Sequence, residues 1–185
     1  MEFPTFTGVE GYQVTMKHPI LLAICAISVS FVSITVCAPP EGAEPGPKAG
    51  SPKRKDKVVK TEAEWKKKLT PAQYKILRAS GTEIPFCSPF LDNKKKGTYH
   101  CIGCDLPLFR TDSKFDSGTG WPSFFQPVQS ESIWTRDDRS YGMVRTEVLC
   151  ARCDGHLGHV FDDGPAPSKK RFCINGEVLK FKETK

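Results

Sequence analysis

Two C-x-x-C pairs, Cys101-Ile-Gly-Cys104 and Cys150-Ala-Arg-Cys153, constrain this chain more than any other feature. A C-x-x-C turn aims two sulfurs at one point, and two such turns brought together complete a tetrahedral Cys₄ site. Zn²⁺ is the expected ion, because four thiolates close its shell and leave no open position for catalysis. Residues 105–149 separate the pairs, so one ion would staple two hairpin-like loops and add directly to the folding free energy of a small domain. Two other readings compete: separate redox-active pairs, or a disulfide framework. Neither pair has the βαβ context of a thioredoxin-like motif, and disulfides gain weight only in an exported chain.

Export turns on the first sixty residues. Residues 20–37, ILLAICAISVSFVSITVC, are uncharged and include Cys25 and Cys37. Their pattern follows neither a 2.0 nor a 3.6 period, as expected of a segment surrounded by apolar material. Residues 1–38 therefore predict a signal peptide or membrane anchor, and an exported or membrane-tethered protein in a periplasmic or secretory compartment. Glu2 and Glu10 make 1–15 an unusual leader, whereas a start at Met16 gives Met-Lys-His followed by the apolar core. Residues 39–60, rich in Pro, Gly and Lys, read as a linker, leaving 61–185 as the folded domain.

The formal charge of +6 comes from interspersed signs, which describes a solvated surface and no nucleic-acid partner. Within the domain, Thr61 with Glu64, and Thr70 before Pro71, mark two short helices. Apolar or alternating runs at 98–101, 132–135, 143–149, 172–174 and 178–181 predict a mainly β remainder.

Outside the metal pairs and the N-terminal segment, two cysteines remain, Cys87 and Cys173. Three cations, Lys169-Lys170-Arg171, precede Cys173 and favour its thiolate, the reactive form. On a strand, Arg171, Cys173 and Asn175 share one face; the competing reading is a structural cysteine on an edge strand. His156 and His159 follow the second C-x-x-C pair in a Gly-flanked stretch read as a loop, which the metal would hold rigid.

Taken together, Phe115-Asp-Ser-Gly-Thr-Gly-Trp-Pro-Ser-Phe124, His156-Leu-Gly-His-Val-Phe-Asp-Asp-Gly-Pro165, Arg171-Phe-Cys-Ile-Asn175 and the two C-x-x-C pairs resemble the B-type methionine sulfoxide reductases over about residues 61–182. The resemblance implies two antiparallel β-sheets with short N-terminal helices, a structural zinc held by Cys101, Cys104, Cys150 and Cys153, and reduction of the R epimer of methionine sulfoxide. It implies Cys173 as nucleophile, His159 or His156 as proton donor with Asn175 orienting, Arg171 supporting the thiolate, and Trp121 and Phe172 as substrate-binding residues. Oxidised protein methionine is the implied substrate, thioredoxin or a small thiol the reductant, and the protein is expected to be a monomer.

One departure bears on turnover. Many family members carry a resolving Cys between the glycines of Ser-Gly-x-Gly-Trp, where this chain has Thr119. Cys87 is the spare thiol that can take its place; the other reading is direct reduction of a sulfenic acid by an external thiol. A zinc-ribbon interaction module without catalysis is the alternative from a different class, but it has no use for a reactive Cys between Arg171 and Asn175.

Overall fold

The computed structural model describes residues 48–184. The apolar segment at 20–37 and the choice between Met1 and Met16 lie outside these residues. Among the described residues no helix is long and apolar enough to cross a membrane.

Two short helices, α1 (Glu62–Lys68) and α2 (Pro71–Leu77), each open with a capping box, Thr61 with Glu64 and Thr70 with Gln73. Each box satisfies two amides that a helix start leaves unpaired. The helices bury Trp65, Ile76 and Leu77, and Leu69, which caps the end of α1, is buried with them. The rest of the chain forms strands β1 (Gly97–Cys101), β2 (Pro107–Arg110), β3 (Lys114–Phe115), β4 (Ser123–Phe124), β5 (Ile133–Asp138), β6 (Arg145–Cys150), β7 (His156–Phe161), β8 (Arg171–Ile174) and β9 (Leu179–Glu183). They make a three-stranded sheet in the order β2-β1-β9 and a six-stranded sheet in the order β3-β4-β8-β7-β6-β5. Every pairing is antiparallel.

The stretch read as a His-bearing loop is β7, an interior strand of the large sheet. Its glycines suggested a turn, but Gly158 is there for close approach: a Cβ on it would lie 2.0 Å from the Cys173 carbonyl oxygen of β8. The core joins the sheets through aromatic rings. Phe109 stacks on Phe124 with centroids 4.5 Å apart, and Tyr99 meets Phe124 edge-on at 5.1 Å. Phe172 belongs to this layer, 5.8 Å from Phe109.

Each C-x-x-C motif is the turn of a hairpin, the first joining β1 to β2 and the second β6 to β7. The two turns share one backbone pattern. Asp105 and Asp154 donate their amides to the carbonyls of Cys101 and Cys150 at 2.8 and 2.9 Å, and both aspartates adopt positive φ, 62° and 54°. Cys101 and Cys150 donate in turn to the carbonyls of Leu106 and Gly155, each at 2.9 Å. Leu77 of α2 caps the second turn so closely that a Cβ on Gly155 would lie 2.4 Å from its Cδ1.

The linker reading of 39–60 fails from residue 48 onward. Buried Asp154 gathers Lys57 Nζ at 2.8 Å, Ser51 Oγ at 2.6 Å and Trp134 Nε1 at 3.0 Å on one carboxylate oxygen. The Val58 amide donates to the Arg152 carbonyl at 2.8 Å, and Asp56 pairs with Arg152. Pro, Gly and Lys content suggested a solvated tether, but the side chains of this segment find partners on the second metal turn.

Breaking a buried ion pair strands the surviving charge, so Asp154→Ala is expected to lower the unfolding free energy by about 3 kcal/mol. Glu183→Ala, which removes an exposed partner of Lys95, should cost less than about 1 kcal/mol. Urea denaturation of both variants checks this contrast.

Candidate active site and metal centre

The ligand sulfurs of Cys101, Cys104, Cys150 and Cys153 all lie within 4.8 Å of one another. Cys101 and Cys153 are 3.6 Å apart and Cys104 and Cys150 3.4 Å, and none is in a disulfide. A tetrahedron of Zn–S bonds of about 2.3 Å has edges of about 3.8 Å, so the quartet fits Zn²⁺. The thiols share their protons: donation to Cys104 pushes Cys101 well above the ordinary range, burial does the same to Cys150, and Cys104, accepting from Cys101, falls. A divalent cation held by the four sulfurs would displace those protons and take their place as the common partner. No sulfur of the quartet lines the cavity described next, so the metal's role is structural.

Cys173 lies in the interior of the large sheet, with Ser123 of β4 opposite on one side and His159 of β7 on the other. It opens into a cavity of about 120 Å³ shared with Trp121, Arg145, His159, Phe161 and Asn175. Burial pushes the Cys173 thiol above its ordinary 9.0, against the opposing effects of the Thr119 hydroxyl and Arg171. Arg171 is itself held, bidentate on Asp163 at 2.8 and 2.9 Å and stacked over Phe161 at 4.4 Å.

A bulge in β7 brings the two histidines together. Val148 pairs with Gly158 but Leu149 pairs with His156, so Leu157 is an extra residue and His156 turns to the side of His159. Their rings meet edge-on with centroids 5.4 Å apart. Each has its own carboxylate. His156 Nδ1 is 2.7 Å from Glu147 Oε1, and His159 Nε2 is 2.8 Å from Asp138 Oδ2. An ionised carboxylate only accepts, so these contacts place protons on His156 Nδ1 and His159 Nε2. Although burial alone would raise Glu147, His156 and Arg136 hold it at about 2. Asp138 is held far below the usual range by Ser140, with further help from His159 and Arg145. Burial pulls His159 below its ordinary 6.5 despite Asp138.

The geometry thus gathers five of the expected site residues and separates the rest. Cys173, His159, Asn175 and Trp121 share the cavity, with Arg171 beside the sulfur. His156 is buried and does not line this cavity, although with His159 it lines a neighbouring one. Phe172, expected at the substrate, points to the opposite side of β8 and packs on Phe109, because neighbours on a strand face opposite ways; Phe161 takes the place at the cavity. Asn175 is committed to the scaffold, accepting from the Glu83 amide at 3.0 Å and donating to the Leu157 carbonyl at 2.9 Å. The loop tied down in this way also takes the Trp121 indole N–H on the Glu83 carbonyl, at 3.3 Å. Cys87 is exposed on the same loop, next to Phe86, whose amide donates to Gly120 at 2.8 Å. Asp138, Arg145, Glu147 and Asp163 went unnoticed in the sequence, where each looks like an ordinary surface charge.

Fold and site define a class: a metal-stapled two-sheet domain with one cysteine facing a small aromatic-walled cavity. A SelR domain model matches residues 69–183. Proteins named peptide methionine sulfoxide reductase MsrB are similar to it. The one from Agrobacterium fabrum is 54% identical over 125 residues, covering 68% of this chain and 93% of the relative. Those from Pseudomonas putida and Methanosarcina barkeri are 54% and 55% identical, with 95% and 88% of each relative covered. The chain belongs to the SelR-domain family, the B-type methionine sulfoxide reductases.

Because the quartet joins two hairpins, Cys104→Ser is expected to abolish stoichiometric zinc binding and lower the thermal midpoint by about 10 °C or more. Metal analysis and calorimetry on the same sample check this.

Proposed function

We propose that this protein reduces the R epimer of methionine sulfoxide to methionine, with Cys173 as nucleophile. The observation that carries this reading is the shared cavity, which presents a sulfur, an imidazole and an indole wall to one small group. The Cys173 thiolate attacks the sulfoxide sulfur, the oxygen passes to Cys173 as a sulfenic acid, and methionine departs. The substrate sulfur gains two electrons and Cys173 loses two. Sulfoxide oxygen leaves poorly without a proton, so an acid must stand beside it. His159 is that acid, because it lines the cavity beside Cys173 whereas His156 does not. With Nε2 committed to Asp138, the proton delivered is the one on Nδ1. Trp121 and Phe161 receive the methyl group, which the oxygen and lone pair cannot mimic, and this asymmetry selects the epimer.

In the second half-cycle Cys87 attacks the sulfenic acid, forming a Cys87–Cys173 disulfide and water, and thioredoxin or a small thiol restores both thiols. Oxidised protein methionine is the substrate, the protein acts as a monomer, and residues 1–38 direct it to an exported or membrane-tethered location. A zinc-ribbon interaction module leaves the cavity and its paired histidines without a purpose.

Cys173→Ser should abolish reduction of a dabsylated R-sulfoxide with zinc content unchanged; full activity in that variant would reject the proposal. After one turnover without reductant, peptide mapping should recover Cys87 joined to Cys173, and a persistent sulfenic acid instead would remove Cys87 from the cycle. The pH profile follows from the two cavity groups. Catalysis needs His159 protonated and Cys173 ionised, yet burial lowers the first pKa and raises the second. Below the His159 value kcat/KM should rise about tenfold per pH unit as thiolate grows, and above the Cys173 value it should fall about tenfold per unit as imidazolium vanishes. Between them the two fractions change in opposite directions, and a broad plateau is expected.

A further inference from the structure

The loop between β3 and β4 and the first residue of β4 carry a chain of hydroxyls that ends on the Cys173 sulfur. Thr119 Oγ1 is 3.9 Å from Cys173 Sγ, long for a hydroxyl–sulfur contact. Ser117 Oγ is 2.8 Å from Thr119 Oγ1 and 2.7 Å from Ser123 Oγ, and Ser123 donates to the Trp121 carbonyl at 3.1 Å. Ser117 also accepts from the Thr119 amide at 3.5 Å. A hydroxyl has one proton and two acceptor sites, so three partners leave Ser117 with one donation and two acceptances.

Counting protons fixes the direction of every link. While Ser123 donates to the Trp121 carbonyl, Ser117 must donate to Ser123, and Thr119 must donate to Ser117. Thr119 then has no proton left for the sulfur, and the contact can only be Cys173 S–H donating to Thr119. Once Cys173 is ionised, that last link needs the opposite sense. Thr119 turns to the sulfur, Ser117 to Thr119 and Ser123 to Ser117, while the Trp121 carbonyl loses its hydroxyl donor. Ser117 still donates once and accepts twice. Each hydroxyl rotates about its C–O bond and no covalent bond changes.

We propose that Thr119, Ser117 and Ser123 form a reversible hydroxyl relay in which Thr119 is the hydrogen-bond donor to the Cys173 thiolate and Ser117 restrains that donor while the thiol is protonated. The threonine that replaces the family's usual resolving cysteine thereby acts on the nucleophile. The relay rests on Cys173 as the reacting group, the reading given above. The other charged groups around the sulfur are Arg171 on its own strand, Asp163 bound to Arg171, His159 on β7 and Arg145 on β6.

The two ends of the relay have opposite effects, which a merely structural role would not produce. Thr119→Val removes the donor to the thiolate and should raise the Cys173 ionisation midpoint by roughly one pH unit. Ser117→Ala frees the Thr119 proton for the sulfur and should lower the midpoint, and Thr119→Val with Ser117→Ala should behave like Thr119→Val alone. Thr119→Ser keeps the hydroxyl and should stay near the unsubstituted protein, which guards against a packing effect of valine. The measurement is the pH dependence of iodoacetamide labelling at Cys173, followed by mass spectrometry in a Cys87→Ser background with zinc bound. It needs no sulfoxide turnover, so a failed relay is distinguishable from a failed reductase assignment. Opposite shifts support the relay; shifts of the same sign, or none, overturn it.

Discussion

The four-cysteine cluster is the constraint from which the rest of the structure follows. Cys101 ends a strand of the small sheet and Cys150 a strand of the large one, so one ion held by both would join the sheets. The two turns share their hydrogen bonds and their positive-φ aspartates, and they face each other as near copies. A domain this small has limited apolar surface to hold two sheets together, and the ion adds a contact that hydrophobic area alone does not provide.

From that corner the order runs outward along one hairpin. Strand β6 carries Arg145 and Glu147, the second metal turn reverses the chain, and β7 returns with His156 and His159. The bulge at Leu157 aims both imidazoles to one side, and each meets its own carboxylate. A metal held by the quartet would therefore fix the hairpin that carries His156 and His159. On the other side of the large sheet the aromatic layer of Phe109, Phe124 and Phe172 holds β4 and β8, and with them the backbone of Cys173.

Much of this was legible from residues alone. Cysteine spacing announced the metal site, and the Thr61–Glu64 capping box and Thr70 before Pro71 placed the two helices. What escaped notice depended on relations between strands. A strand with glycines at its middle looks like a loop until the partner whose carbonyl demands Gly158 is seen, and a bulge leaves no local signal to tell which way His156 turns. Phe172 was misplaced because adjacency in sequence does not mean adjacency in space on a strand. Residues 48–58 have the composition of a tether, and only the burial of Asp154 reveals why they fold back.

Cys173 is flanked by hydrogen-bonded strands on both sides, while Cys87 lies on a surface loop with its neighbour Phe86 tied to Gly120. Cys173 is thus an anvil, unable to travel without tearing two ladders. In the cycle proposed above, the motion that brings the two sulfurs together belongs to the segment around residues 84–88, so recycling would draw on the compliance of a loop and reduction on the stiffness of a sheet.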